Sequence, residues 1–254
     1  MDGYTIRCVG DQALSVEFEN EISLAVNRKV VALAHALEAR NLTGVGELVP
    51  TYRALLIHYN SLCTNLPLLE RAIGECIATP ADANPTPAIV TEIPVLYDGA
   101  DLAEIARLEG KSESEIIRIH SGSDYYVYML GFAPGHPYAA RMENPFSFKR
   151  RAEPRVRIPG GSIVVQLGLS DIIPFPQPCG WNIIGTTPVL ACDYRKEKPF
   201  LLRAGQWIRH IPVDRAEFEE IRRQAESGEY ECRRNCYGRV YYALCGRPGP
   251  FGGV

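Results

Sequence analysis

The sequence has little excess charge and no long apolar run, and both absences exclude whole classes of protein. Its 254 residues carry 27 lysines and arginines against 30 aspartates and glutamates, for a net charge of -3. A nucleic-acid-binding protein would carry a basic excess. No stretch approaches the roughly 18 uninterrupted apolar residues of a membrane helix. The first residues also lack the apolar segment of a signal peptide. We therefore expect a soluble, cytoplasmic protein.

Several motifs of nucleotide, metal and acyl-transfer chemistry are also missing. There is no Gly-x-x-x-x-Gly-Lys-Ser/Thr phosphate loop and no Gly-x-Ser-x-Gly nucleophile elbow. The eight cysteines form no Cys-x-x-Cys pair, so we predict no metal site. In a chain of this size without a signal peptide, we interpret them as buried free thiols, with disulfides as the less favoured alternative.

The first 80 residues alternate between strand and helix patterns. Apolar side chains at every second position predict a half-buried strand at residues 13–18. Apolar residues at three- and four-residue steps predict a helix at residues 22–39. A second strand at 54–59 and a second helix at 67–77 follow. This order predicts a small α+β domain over residues 1–80.

Residues 79–87 contain three prolines among small polar residues and predict a linker, so we place the domain boundary near residues 79–90. The second domain, residues 88–213, opens with a predicted strand at 91–97. Short helices follow at 102–108 and 112–120, and Ser112 with Glu115 forms a capping-box pattern.

Beyond residue 125 the pattern changes to short β-rich runs separated by glycine and proline turns. The clearest runs are residues 125–130, 162–165 and 189–192. Frequent turns between short strands predict a closed β barrel or sandwich. A helix at 213–225 follows, and residues 214–254 form an extension rich in cysteine and arginine. We favour a role for this extension in partner binding or surface packing over a metal site.

Five blocks of the chain, in order, resemble one known family. They are residues 49–56 (VPTYRALL), 93–97 (IPVLY), 125–135 (YYVYMLGFAPG), 155–162 (RVRIPGGS) and 180–188 (GWNIIGTTP). The family is that of the 5-oxoprolinase B subunits, the kinase-inhibitor-like proteins and allophanate hydrolase subunit 1. The resemblance implies an α+β N-terminal domain followed by a cyclophilin-like β barrel.

The resemblance also implies a function. The chain would be one subunit of a heteromeric complex, with A-type and C-type partner subunits, that uses ATP to open 5-oxoproline to glutamate. Two alternatives stay open. One is an inhibitor of a sensor histidine kinase, and the other is a subunit similar to urea amidolyase or carboxyltransferase. We expect the chain to act as an enzyme only as part of such a complex, with little hydrolase activity by itself.

The chain departs from the family pattern at three informative positions. His136 stands where the family usually has phenylalanine, Leu169 where it has glutamine, and Thr186 where it has arginine. An amide-binding side chain and a charge-stabilising side chain are thus absent from their usual places, which favours the regulatory alternative somewhat.

The same blocks supply the candidate site residues. His120 is the candidate catalytic residue, because a neutral imidazole accepts protons near pH 7. Its structural alternative is a histidine that bonds the carbonyls at a helix end. The candidate substrate-binding residues are Tyr125, Pro134, Gly135, His136, Arg155, Ser162 and Trp181.

Arg155 would bind a carboxylate or phosphate through its planar guanidinium. The structural alternative is that it lies on a solvated strand face. For Ser162 a turn-capping role is favoured over ligand contact, and Trp181 would either line the site or fill the core. We expect these residues to share a concave site for a small anionic substrate, with His120 and Arg155 close together.

Overall fold

The computed structural model describes residues 3–79, 88–141 and 146–237. The described chain forms two compact units, one up to residue 79 and one from residue 88. It is a mixed α/β protein with five helices and fourteen strands in these ranges. None of the described helices combines the length and the apolar character needed to span a membrane. The predicted boundary at 79–90 falls mostly outside the described residues and stays a prediction.

The first unit packs two helices on an antiparallel sheet of order β1-β2-β4-β3. Its elements are β1 (Thr5–Cys8), β2 (Ala13–Glu17), α1 (Leu24–Arg40), β3 (Val45–Pro50), β4 (Ala54–Tyr59) and α2 (Leu66–Ala78). The predicted strands and helices are confirmed here. The first helix begins at Leu24 because Ser23 caps it, its side chain accepting a hydrogen bond from the Val26 N–H. Apolar side chains of β2, β4 and both helices form one core.

The second unit is built on an eight-stranded sheet of order β12-β9-β10-β7-β6-β13-β5-β14 and a two-stranded ribbon, β11-β8. The strands are β5 (Ala88–Val95), β6 (Asp124–Leu130), β7 (Pro137–Ala140), β8 (Arg155–Ile158), β9 (Ser162–Gln166), β10 (Leu169–Ile172), β11 (Gln177–Cys179), β12 (Asn182–Thr186), β13 (Trp207–Pro212) and β14 (Arg234–Tyr237). The sheet curls into a half barrel. Leu96, just after β5, and Thr186, at the end of β12, bridge its two sides through backbone hydrogen bonds of 2.9 and 2.8 Å.

Three helices cover this sheet: α3 (Leu102–Glu109), α4 (Glu113–Ser121) and α5 (Arg215–Ser227). The predicted capping box of α4 is confirmed, because Ser112 and Glu115 each accept a hydrogen bond from the other's backbone N–H. The core joins Val127, Ile163 and Val165 of the sheet to buried side chains of all three helices.

The predicted strand at residues 189–192 is wrong. In that run only Cys192 pairs, as an isolated bridge to Phe200. Pro188 precedes the run and has no N–H to donate to a ladder. Val189 and Ala191 are nevertheless buried in the core of the second unit. The apolar pattern therefore indicated burial correctly, but it did not indicate strand pairing.

The interpretation of the cysteines as buried holds for only one of the seven that are described. All seven are free thiols, but Cys192 alone is buried, whereas Cys8, Cys63 and Cys236 are exposed. Cys245 lies outside the described residues. A thiol is small enough to be tolerated at a surface position, so composition did not decide where these side chains lie.

The close packing at Gly99 allows a prediction about the stability of the second unit. A Cβ atom at this position would overlap the Ile183 carbonyl oxygen and the Ile184 backbone. We expect Gly99→Ala to lower the free energy of unfolding by about 2 kcal/mol, as overpacking does. Urea denaturation of the purified chain measures this.

Gly74→Ala is the control. Gly74 lies inside α2, where the new methyl group would meet only the Tyr4 hydroxyl at 3.6 Å, and alanine there should stabilise the helix by about 0.5–1 kcal/mol. Equal stability of Gly99→Ala and the wild type would contradict the proposed close packing on β12.

Candidate functional site

Arg155 is engaged by a carboxylate. Its Nη1 and Nη2 donate to the two Asp101 carboxylate oxygens at 2.8 and 2.7 Å. Arg151 Nη1 and the Ile183 N–H donate to the same carboxylate at 2.7 and 2.8 Å. Burial would raise the pKa of Asp101, but these hydrogen bonds, chiefly that of Arg155, hold it below its usual value. The guanidinium predicted to grip a substrate is therefore already paired inside the protein.

His120 is fully buried and has polar and aromatic neighbours. Its Nδ1 pairs with the Tyr97 hydroxyl and its Nε2 with the Ser170 hydroxyl, both at 2.8 Å. Its ring lies 4.3 Å from that of His210 and 5.2 Å from that of Tyr125. His120 is 0% exposed. This placement gives no support to a catalytic contact, and the helix-end alternative also does not match, because the partners are hydroxyl groups and not carbonyls.

Burial keeps both of these histidines neutral. Desolvation, with smaller contributions from His210 and Arg141, holds the pKa of His120 well below its ordinary value. Desolvation lowers the pKa of His210 to about 3, although the nearby Asp124 opposes it. Neither His210 nitrogen has a hydrogen-bond partner among the described residues.

Ser162 and Gly135, two of the other predicted residues, shape the local backbone. The Ser162 hydroxyl donates to the Pro159 carbonyl at 2.8 Å, as the turn-capping interpretation expects. Gly135, after Pro134, has a φ of 77° and packs against the Ala191 carbonyl. A side chain is disfavoured there by both conformation and space. Trp181 is half-buried and packs against a small cluster that includes Ile158.

His136 is the predicted residue around which the structure gathers other functional groups. Its Nδ1 accepts a hydrogen bond from Gln177 Nε2 at 3.1 Å, so the ring proton lies on Nε2. That nitrogen faces Asp171 Oδ2 at 3.4 Å. Asp171 Oδ1 accepts from the Ala139 N–H at 3.0 Å. Burial raises the pKa of Asp171, and the hydrogen bond from His136 opposes this only in part.

Aromatic rings surround His136. Its ring stacks on Tyr138 at a centroid distance of 5.3 Å, and Phe132 meets it edge-on at 5.9 Å. Tyr138 in turn contacts Trp181 at 6.4 Å. Phe132 is 71% exposed and has a φ of 67°, a backbone conformation that is uncommon outside glycine. The loop thus presents an apolar ring to solvent beside a polar pair.

Arg150 brings a positive charge to the same region. Its guanidinium lies against Gly180, where any side chain would overlap it. Gly180 is next to Trp181, and both Arg150 and Asp171 act electrostatically on the Cys179 thiol. Arg150 is exposed, and it forms no ion pair with a carboxylate in the described part of the chain. We call these six residues the His136 site: His136, Tyr138, Arg150, Asp171, Gln177 and Trp181.

Sequence reasoning identified two members of this site and missed four. Asp171 left a signal, since it is a lone carboxylate in a short, largely buried strand, but in that segment only Leu169 stood out against the family pattern. Arg150 lies in a basic run, residues 149–157, in which only Arg155 matched the family blocks. Tyr138 and Gln177 left no signal. Within the described ranges, no cluster of three or more histidine, cysteine or acidic side chains is placed to bind a metal.

The His136 site combines features suited to a small planar acid. A buried carboxylate orients the imidazole, a side-chain amide lies beside it, and aromatic rings surround the pair. An exposed guanidinium at the edge suits a carboxylate ligand through charge-assisted hydrogen bonds.

Comparison with known proteins shows which family this chain matches. Residues 4–202 match the family described as carboxyltransferase domain, subdomain C and D. The chain is 31% identical over 235 residues to the B subunit of 5-oxoprolinase from Bacillus subtilis (strain 168), covering 87% of this chain and 98% of the relative. It is 33% identical over 215 residues to the corresponding B subunit from Escherichia coli O157:H7, covering 81% and 95%. The family resemblance predicted from the five blocks is thereby confirmed.

Solved structures agree on the fold. The chain is 34% identical to TTHA0988, with a TM-score of 0.72, and covers 83% of its own length but only 40% of that longer chain. It also superimposes on the urea carboxylase of Kluyveromyces lactis with a TM-score of 0.73, covering 95% of this chain and 24% of the other. At 18% identity, the second match shows the fold alone.

The buried histidines predict acid instability. The unfolded chain takes up protons at histidine below pH about 6.5, whereas His120 and His210 stay neutral while folded. Their contribution to the free energy of unfolding is therefore fully present above pH 6.5 and falls as the pH is lowered toward the folded-state values. Between pH 7.5 and 5.5 we expect a loss of about 1.4 kcal/mol for each histidine, measured by urea denaturation.

The His210→Gln variant is the matched control, because glutamine is polar and does not titrate. It should lose about half as much stability over the same pH interval. A loss equal to that of the wild type would show that His210 is protonated in the folded protein.

The engagement of Arg155 predicts a structural phenotype. Arg155→Ala would leave the buried Asp101 carboxylate with only one guanidinium, and we expect the free energy of unfolding to fall by about 1–3 kcal/mol. Arg157→Ala, which removes an exposed arginine from the same strand, should change it by less than about 0.5 kcal/mol. Thermal denaturation of the two variants compares them, and equal melting temperatures would contradict the role of the Asp101 contact.

Proposed function

The chain belongs to the family of carboxyltransferase domains, subdomains C and D, and from this premise we propose that it is the B-type subunit of an ATP-dependent 5-oxoprolinase. Its substrate would be 5-oxoproline, a five-membered cyclic amide with one carboxylate, and its product glutamate. Two relatives that are B subunits of 5-oxoprolinase, each matched over almost its full length, support the proposal. We also propose that the curled sheet of the second unit corresponds to the cyclophilin-like barrel of the family.

The observation that carries the chemistry is that His136 contacts both the buried Asp171 and Gln177, with the exposed Arg150 against Gly180. Arg150 would bind the carboxylate of 5-oxoproline. The Gln177 side chain, held by His136, would bond its amide, and His136, Tyr138 and Trp181 would pack on the ring. Arg150 thus takes the role predicted for Arg155, and His136 keeps its predicted role in substrate binding.

The proposed reaction transfers the γ-phosphoryl group of ATP to the amide oxygen of 5-oxoproline, which activates the carbonyl carbon. Water then adds to that carbon and the ring C–N bond breaks, which leaves a γ-glutamyl phosphate. A second water hydrolyses this acyl phosphate, so the products are glutamate, ADP and phosphate. The site must stabilise negative charge as it develops, and a cation held near the substrate serves that purpose.

The His136 site offers little for the triphosphate itself. Its buried carboxylate would repel phosphate, and Arg150 is its one cationic member. We therefore propose that ATP binds outside the His136 site, and that A-type and C-type partner subunits complete the active complex. The exposed Phe132 ring beside the site suits coverage by a partner.

Reconstitution with the A-type and C-type subunits tests the function. We expect ADP and glutamate to form only when 5-oxoproline and all three subunits are present. Arg150→Ala should raise the KM for 5-oxoproline by about 10- to 100-fold, because a charge-assisted hydrogen bond is lost. Arg157→Ala, an exposed arginine outside the site, should leave KM unchanged.

Failure to assemble with the partner subunits, or assembly without 5-oxoproline-dependent ATP hydrolysis, would overturn the proposal. Inhibition of a sensor histidine kinase by the isolated chain, together with that failure, would favour the regulatory alternative instead.

A further inference from the structure

A cavity of about 500 Å³ lies in the second unit among residues that the His136 site does not use. The loop after β12, the end of α5 and the segment before β14 form its walls. Four cationic side chains line it: Lys196, Lys198, Arg203 and Arg234. The volume falls within the range of about 300–1,000 Å³ that is common for small-molecule sites.

The acidic side chains of the cavity offset only part of this positive charge. The Asp193 carboxylate is occupied by Arg195, whose Nε and Nη2 donate to it at 2.8 and 2.9 Å. Hydrogen bonding from Arg195 holds the pKa of Asp193 below its ordinary value. Glu231 is the other acidic side chain on the lining. In the described ranges, no carboxylate forms an ion pair with the four cations.

Hydrogen bonds hold the cationic loop against its neighbours. Arg195 Nη1 donates to the Glu226 carbonyl at 2.6 Å, which fastens the loop to the end of α5. The Asp193 N–H donates to the Pro199 carbonyl at 2.8 Å and closes the turn that carries both lysines. Arg234 Nη2 donates to the Leu201 carbonyl at 3.1 Å. The lining backbone is thus pre-organised, which reduces the entropy lost on binding.

Part of the cavity lining is apolar. Val189, Phe200, Tyr230 and Cys232 contribute to it. Burial raises the pKa of the Cys232 thiol to about 11, so this side chain stays neutral at physiological pH and acts as a small apolar group. The lining therefore suits a ligand that combines several negative charges with an apolar part.

We propose that this cavity binds a nucleoside triphosphate, its phosphates toward Lys196, Lys198, Arg203 and Arg234 and its base toward Phe200 and Tyr230. Lysine and arginine are the usual partners of phosphate oxygens. The choice of ATP rests on the proposed function, whereas the preference for a polyphosphate with an apolar part rests on the cavity alone. The cavity would then hold the ATP that the His136 site does not suit.

Isothermal titration of the isolated chain with Mg-ATP, tripolyphosphate, adenosine and citrate tests the proposal. We expect Mg-ATP to bind more tightly than tripolyphosphate, and adenosine and citrate to bind weakly. The double variant Lys198→Ala/Arg203→Ala should weaken Mg-ATP binding at least about tenfold. The affinity should also fall as salt is raised, because the contacts are between exposed charges.

Arg107→Ala is the matched control, since Arg107 is an exposed cation of the second unit that does not line the cavity. It should bind Mg-ATP as the wild type does. The Phe200→Ala variant should weaken Mg-ATP without affecting tripolyphosphate. Equal binding by the double variant and the control, no binding of Mg-ATP, or citrate binding as tight as Mg-ATP would each overturn the proposal.

The ATP-binding test can succeed or fail independently of the test of the proposed function. Binding of Mg-ATP by the isolated chain needs neither 5-oxoproline nor partner subunits. If the reconstituted complex hydrolyses ATP with 5-oxoproline but the double variant retains the wild-type KM for ATP, the cavity assignment fails and the function stands. If the chain binds Mg-ATP through the cavity but no 5-oxoproline is opened, the function fails and the cavity assignment stands.

Discussion

The buried carboxylate of Asp101 is the interaction on which the arrangement of the second unit depends. It lies at the start of α3 and accepts hydrogen bonds from Arg155 of β8 and from the Ile183 N–H of β12. A helix, the two-stranded ribbon and an edge of the curled sheet are joined at one point. Because a buried charge is costly without partners, the ribbon is held in place. The same ribbon carries Gln177, which donates to His136.

Two buried aspartates show how environment assigns different tasks to one residue type. Asp101 is surrounded by guanidinium groups, and its pKa is lowered. Asp171 meets a histidine, a backbone N–H and aromatic neighbours, and burial raises its pKa. The first carboxylate is committed to holding the fold together. The second orients an imidazole near the surface, as binding and catalytic sites commonly require.

The histidines of the second unit also differ in their environments. His120 and His210 are sealed in the core, where burial keeps them neutral and their rings pack together. His136, with 6% of its surface exposed, lies beneath a loop that presents Phe132 to solvent. We therefore propose two separate sites: the His136 site binds a small planar acid, and the cationic cavity binds the polyphosphate.

Local patterns in the sequence predicted β2, β4 and both helices of the first unit, and they indicated the family. Alternating and helical apolar periods, like the capping box at Ser112 in the second unit, depend only on neighbours a few residues apart. The family blocks likewise depend on residue order alone. The tertiary structure decided which arginine is available to a ligand. Arg155 is paired because Asp101, 54 residues earlier in the chain, folds against it, whereas Arg150 lies against Gly180 with its charge toward solvent. Long-range pairing of charges is not encoded in local periodicity, so the sequence alone did not distinguish these two side chains.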